Sequence, residues 1–352
     1  MEQVVVALAT ELKARGHEPH VICTARRGVL SAEVEAFGIP VHECFFESAR
    51  DNLGSKRLSS VLRGIGAQVV HSQTGVWLGA VTAARRAGIR ATCHTEHGLT
   101  SLHEGWKLRV QKVIAARLTE AIVSVSDPLH RILVAQCLVS PRRILRIDNG
   151  VPVEKYLRDV NLRREVRNEL AIRDDALVIG TAGRLQHLKG FDVLLTALRE
   201  ASFSRPVSVV LAGDGEDRSI LEELAAQSAV PIQLLGERRD IPRLMQAYDI
   251  FVLPSRSEGL PMALLEGMAS GLGIVATAVG EMPKVLQDDA GIVVPPNSPD
   301  QILGALQRMA VDDQFRADCG DVAMKRVSER YSRQHMVSSY EQLYVQIMNS
   351  TN

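Results

Sequence analysis

From Asp175 onward, short β-branched apolar runs alternate with amphipathic segments. Parallel strands buried on both faces and linked by crossover helices impose that pattern. The runs predict strands at Leu177–Ala182, Val207–Ala212, Ile232–Leu235, Asp249–Leu253, Gly273–Thr277 and Gly291–Val294. Helical spacing between them predicts helices at Phe191–Glu200, Arg218–Gln227, Ile241–Ala247, Pro261–Ser270 and Pro299–Met309. Together they make one doubly wound α/β domain.

The first half repeats the alternation more weakly, with strands near His20–Cys23, Val41–Phe45, Val69–His71, Ile89–His94 and Ala121–Val125, and reads as a second Rossmann-like domain. Turn-prone Asn149-Gly150 and Pro152 mark the join. The expected division is therefore residues 1–150, 151–330 and a tail from 331 to 352. Asp312 to Met348 reads as two helices broken near Tyr331-Ser332. Met1 to Arg15 reads as an amphipathic helix, with Val4, Val5, Leu8, Ala9 and Leu12 on one face and Gly16 as its stop. A doubly wound domain ordinarily opens with a strand and a glycine-rich turn, so the chain is expected to begin one element late.

Length and charge narrow the function. A chain of 352 residues has room for two cores. Its 41 basic residues balance 41 acidic ones, which gives no support to a nucleic-acid binder held by bulk charge. Cys23, Cys44, Cys93, Cys137 and Cys319 are scattered and form no CxxC pair, so neither a disulfide framework nor a zinc site is expected. With no long apolar run, a cytoplasmic protein is expected, and peripheral contact with the inner face of the membrane stays open.

The densest chemical signal is Ser255-Arg256-Ser257-Glu258-Gly259-Leu260-Pro261, which follows an apolar strand. Pro261 suits the first position of a helix, so Gly259 and Leu260 would offer free N–H groups at its N-terminus, an anion site. Glu258 and Glu266 would border one cleft at two depths and accept hydrogen bonds from vicinal hydroxyls. The bland alternative is a pair of solvated helix-end glutamates. Gly183-Arg184-Leu185 and Lys189-Gly190 would put two cations at strand ends, suited to a diphosphate leaving group, against the alternative of a solvated basic loop. Gly213-Asp214-Gly215 is a weaker signal, since such turns often serve topology alone. Gly180 to Gly183 lacks the GxGxxG spacing of a dinucleotide site, which ranks a dehydrogenase below a transferase. Cys93-His94-Thr95-Glu96-His97-Gly98 would place two histidines at a strand end, with His71 a weaker third candidate. No third ligand completes a metal site with His94 and His97.

These motifs, in their order and spacing, resemble glycosyltransferase family 4, the group 1 glycosyltransferases of the GT-B fold. The resemblance is densest from Gly183 to Val294 and includes the E-x7-E pair Glu258 and Glu266. It implies two Rossmann-like domains facing across a cleft and a nucleotide-diphosphate sugar as co-substrate, with no cofactor and no metal. It further implies a glycan or lipid-linked acceptor. Arg184, Lys189 and the amides near Gly259, Leu260 and Pro261 would hold the donor diphosphate, with Ser255 and Gly213 beside it. Glu266 would take the ribose, Glu258 the sugar, and His97 the role of active-site histidine, with His94 in reserve. Retention by front-face attack follows from the same resemblance. A strand and Gly-Gly loop that open the family's first domain would precede Met1-Glu2-Gln3-Val4. The competing readings are a nucleotide-sugar epimerase of the same fold and a catalytically silent nucleotide-sugar binder.

Overall fold

The computed structural model describes residues 2–25, 27–28, 30–46, 55–97 and 105–351. They fall into two compact units, Met1–Gly150 with Arg333–Asn352, and Val151–Ser332.

The second unit is built on six parallel strands: β7 (Leu177–Ala182), β8 (Val207–Ala212), β9 (Ile232–Leu234), β10 (Ile250–Leu253), β11 (Gly273–Thr277) and β12 (Ile292–Val294). Their order is β12-β11-β10-β7-β8-β9, with β7 at the centre and in register with β8 along its whole length. Successive side chains of a strand point to opposite faces. Leu177 and Ile179 accordingly enter one core with Leu194, Leu198 and Leu306, while Val178 and Ala182 enter another with Leu264, Met268 and Ile274. Each such buried Val, Leu, Ile or Met side chain stabilises the unit by about 1.5–3 kcal/mol.

Helix Val160–Glu169 escapes the apolar reading because its sequence is mostly polar. Its start is chemical: the Asp159 carboxylate accepts from the N–H groups of Asn161 and Leu162. Arg167, almost fully buried, donates to the carbonyls of Ala247 and Ala176, and with Arg163 it holds the Asp249 carboxylate. Asp249 also accepts from the Val178 N–H, so a polar helix is fastened to the amino-terminal ends of the central strands β7 and β10 by guanidinium groups.

Among the described residues of the first unit the parallel strands form two sheets. Among the described residues, strand β1 (Val21–Cys23) pairs only with β2 (Val41–Glu43). The other sheet runs β3 (Val70–Gln73), β4 (Thr92–Glu96), β5 (Ala121–Ser124) and β6 (Ile144–Arg146), in that order. Ile22 and Val70, from the two sheets, pack in one cluster with Cys44, Leu58 and Leu62. The opening helix is Glu2–Ala14, and Gly16 beyond it takes φ +88°. Arg15 and His17 bind Glu341 of the last helix, Arg333–Thr351, which packs within this unit.

Strand expectations in the first unit need correction: Val69–His71 is Val70–Gln73 and Val41–Phe45 is Val41–Glu43. The strand expected to end at His94 spans Thr92–Glu96, because the polar run Thr92-Cys93-His94-Thr95-Glu96 lies in the sheet interior with all five residues buried. Strand β6, Ile144–Arg146, was not expected from the apolar pattern and carries one buried residue.

Candidate active site

At the carboxyl ends of β7 and β10, three of the expected residues meet. Lys189 Nζ donates to Glu258 Oε1 at 2.7 Å, and Ser255 Oγ donates to the same oxygen at 2.9 Å. The pair is largely shielded, with side-chain exposures of 24% and 11%, so removing either partner leaves an uncompensated charge. The turns that bring them together depend on glycine. Gly190 has φ +66°, and a Cβ there would lie 2.1 Å from the Pro254 carbonyl oxygen. That contact seats the turn bearing Lys189 against Pro254-Ser255.

Arg256, part of the same motif but given no role from the sequence, fixes the same turn. Its guanidinium forks onto both carboxylate oxygens of Asp192 at 2.7 Å and also donates to the His187 carbonyl. Thr277 is a second omission: its hydroxyl donates to the Ser255 carbonyl at 2.5 Å. Glu281 is a third, nearly fully buried, with its N–H on the Gly259 carbonyl. The Gly280-Glu281-x-Pro turn after β11 was its available signal.

The helix behind Glu258 spans Met262–Ala269, with Pro261 as its N-cap at φ −72° and ψ 131°. This moves the start one residue past the expected position, since the extended ψ of Pro261 keeps it outside the helix. The N–H groups of Gly259, Leu260, Met262 and Ala263 have no backbone acceptor among the described residues. Met262 and Ala263 therefore hold the helix-terminal amides, with the Gly259-Leu260 amides on the approach to them. Glu266 sits inside this helix, partly exposed; burial raises its carboxyl pKa, opposed by a hydrogen bond from Tyr156.

Arg184 follows β7, exposed, with no ion pair among the described residues. Gly213 answers to packing. Its N–H donates to the Gly236 carbonyl at 2.7 Å, and a Cβ would lie 1.8 Å from the Gly183 oxygen, so the loops after β7 and β8 touch only because Gly213 has no side chain. Two surface hollows, one beside Ser202, Phe203 and Gln307 and one beside Lys13, His17 and Gly38, contain none of these groups.

In the first unit the two histidines of β4 and its end part company. His94 lies inside β4, fully buried, with its ring stacked on Trp77 at 4.0 Å and its Nδ1 on Ser72. It is a core residue and not the strand-end group expected. His71 is likewise inside β3, hydrogen-bonded to Tyr344 and Thr95. His97 stands just past β4, and its Nε2 meets Gln73 Oε1 at 2.6 Å. Gly98, which follows it, lies outside the described residues. Burial lowers the His97 pKa to about 4. Glu96 beneath it accepts from the Thr74 hydroxyl at 2.6 Å and from the His97 N–H. Burial alone would raise the Glu96 carboxyl, but the neighbouring His94 ring, the Thr74 hydroxyl and the Lys112 charge hold it well below the usual carboxylate range.

Known proteins share both units. The family described as Glycosyl transferases group 1 matches residues 163–326, and that described as Glycosyltransferase Family 4 matches residues 1–155. The UDP-Gal:alpha-D-GlcNAc-diphosphoundecaprenol alpha-1,3-galactosyltransferase of Escherichia coli is 29% identical over 300 residues, 80% of this chain and 76% of that protein. The phosphatidylinositol N-acetylglucosaminyltransferase gpi3 subunit of Schizosaccharomyces pombe is 23% identical across 100% of this chain and 78% of its own length. Among solved structures, Anabaena HepE in complex with UDP superposes with a TM-score of 0.85 at 18% identity, covering 98% of this chain and 96% of that one. The shared architecture is GT-B, with two Rossmann-like domains.

Proposed function

This chain belongs to the group 1, family 4 glycosyltransferases, and on that premise we propose that it moves a hexose from a nucleotide-diphosphate donor to a glycan or lipid-linked acceptor in cell-envelope polysaccharide or lipopolysaccharide synthesis. In this reading the transfer retains anomeric configuration and uses no metal. One observation carries it: Lys189, Ser255 and Glu258 meet beside the amides of Gly259, Leu260, Met262 and Ala263, which have no backbone acceptor among the described residues. Cation and helix-end amides suit a diphosphate whose charge grows as the glycosidic bond breaks. Arg184 adds a second cation with fixed geometry. Glu258, released from Lys189 when the phosphate takes over that cation, accepts from the sugar hydroxyls, and Glu266 accepts from the ribose. His97 is the hydrogen-bond partner of the transferred sugar. A donor phosphate oxygen on the attacked face takes the acceptor proton, so no protein base is required.

A UDP-sugar donor and a lipid-diphosphate acceptor are favoured by the Escherichia coli relative, whose name specifies both. Membrane contact is part of the proposal. On helix Trp106–Leu118 the solvent side carries Trp106, Val110 and Ile114, four residues apart, between the cations Lys107, Arg109 and Arg117. Apolar anchors between basic residues suit an anionic bilayer surface. Among the described residues no helix is long and apolar enough to cross a membrane.

The test is a thermal-shift panel of UDP-, GDP- and ADP-sugars, followed by turnover of the stabilising donor. Lys189→Ala and Glu266→Ala should each cut turnover by about 100-fold or more while the fold persists. Turnover like the parent's in both variants would refute the site.

A further inference from the structure

His97 is the last group of a continuous hydrogen-bonded chain that begins on the C-terminal helix. The Tyr340 hydroxyl meets Thr95 Oγ1 at 3.0 Å, and Thr95 Oγ1 meets His71 Nε2 at 2.8 Å. His71 Nδ1 meets the Tyr344 hydroxyl at 2.7 Å. Gln73 then bridges the two histidines, with its Nε2 3.0 Å from His71 Nε2 and its Oε1 2.6 Å from His97 Nε2. Gln73 and Thr95 are register partners on β3 and β4, so the sheet itself sets these distances.

With the Gln73 amide nitrogen toward His71 and its oxygen toward His97, the bonds take one set of directions. An amide nitrogen only donates, so His71 Nε2 carries a lone pair and the ring proton sits on Nδ1, donated to Tyr344. The Thr95 hydroxyl shares that one lone pair with the Gln73 amide as a second donor, and accepts from Tyr340. An amide oxygen only accepts, so His97 Nε2 carries the hydrogen. Burial keeps both rings neutral at physiological pH, with His71 lowered to about 3 and His97 to about 4. Burial raises the Tyr340 and Tyr344 hydroxyls, which stay protonated. A neutral His97 protonated at Nε2 has a bare Nδ1. That nitrogen has no hydrogen-bond partner among the described residues.

We infer that Gln73 is a positioning residue that, itself oriented by His71 and Tyr344, locks His97 in the Nε2–H tautomer, so that the ring presents Nδ1 to the substrate purely as a hydrogen-bond acceptor. The role in substrate binding rests on the proposed donor reading; the tautomer does not. His97 would then recognise a hydroxyl proton of the transferred sugar rather than its oxygen, and a deoxy sugar at that position would lose the contact.

The experiment is a long-range proton–nitrogen correlation spectrum of the full chain labelled with nitrogen-15 histidine at pH 7, with His97 assigned from the His97→Gln variant. The expected pattern is a single neutral tautomer of His97 with a protonated Nε2. Gln73→Met should replace it with a mixture of tautomers. It should also lower kcat/KM for UDP release from UDP-galactose about ten-fold, chiefly through a higher donor KM. A protonated Nδ1 in the parent, or an unaltered tautomer and rate in Gln73→Met, would overturn the inference. If Gln73→Met fails to fold, Tyr344→Phe, which removes only the far acceptor, should still broaden the tautomer population, and an unchanged spectrum there overturns it equally. Absence of UDP-galactose turnover in the parent would count against the donor reading, while the spectrum would still decide the tautomer.

Discussion

The central strands of the two units solve the same topological problem with opposite chemistry. Strand β7, Leu-Val-Ile-Gly-Thr-Ala, and strand β8, Val-Ser-Val-Val-Leu-Ala, are apolar on both faces and feed two separate cores. Strand β4, Thr-Cys-His-Thr-Glu, is equally buried, yet contains no aliphatic residue. Its stability comes from paired polar groups: Trp77 on His94, Ser72 on His94, Thr74 and Lys112 on Glu96, Tyr340 on Thr95. A buried polar group that keeps its partner costs little, whereas one that loses it costs a full desolvation. The first unit is therefore the more brittle to side-chain deletion and to acid. The second is more brittle to backbone crowding.

Truncating the aromatic lid of the polar core should show the largest effect. Trp77→Ala removes the stack on His94 and the 2.7 Å bond from its Nε1 to Thr119, at a cost of about 3–5 kcal/mol. Hydrogen exchange should then lose protection in β3, β4 and β5 while β7 and β8 keep theirs. Equal loss in both units would erase the contrast.

Gly213→Ala is the complementary break. The added methyl meets the Gly183 carbonyl at a backbone φ of +148°, which should cost about 3 kcal/mol and open the exchange of β7 and β8 first. Protection of β3 to β5 should be retained, and a variant as stable as the parent would remove the packing account of this turn.

Acid should act on the first unit at a milder pH than on the second. His71 and His97 have folded-state pKa values of about 3 and about 4, below the ordinary 6.5. Unfolding in that window takes up protons, so their contribution is complete above about pH 6.5 and is lost as pH falls toward 4. The slope is at most about 1.4 kcal/mol per pH unit for each ring. Residues 151–332 contain a single histidine, His187, so exchange in β7 and β8 should change little between pH 6.5 and 5. Parallel decline in both units would contradict the assignment.

The same contrast explains what the sequence revealed. In the second unit every strand was legible to within a residue, because buried parallel strands concentrate aliphatic residues. Helix Val160–Glu169 was not, since guanidinium bonds to Asp249 and backbone carbonyls replace the apolar face that periodicity detects. In the first unit the polar composition of β4 displaced its apparent end from Glu96 to His94, and with it the reading of which histidine stands at the edge. Ser255, Glu258 and Lys189 were legible from motif order. Arg256 and Gln73 were not, because an arginine that fixes a turn and a glutamine that orients a ring have no characteristic spacing.

The central claim is that Lys189 and the neighbouring amides form a diphosphate cradle. Calorimetric titration of the parent and of Lys189→Ala with UDP and with UMP tests it most directly. The account predicts that the parent binds UDP at least ten-fold more tightly than UMP and that Lys189→Ala loses most of that preference. Equal affinity for the two nucleotides in the parent, or an undiminished preference in Lys189→Ala, would contradict it.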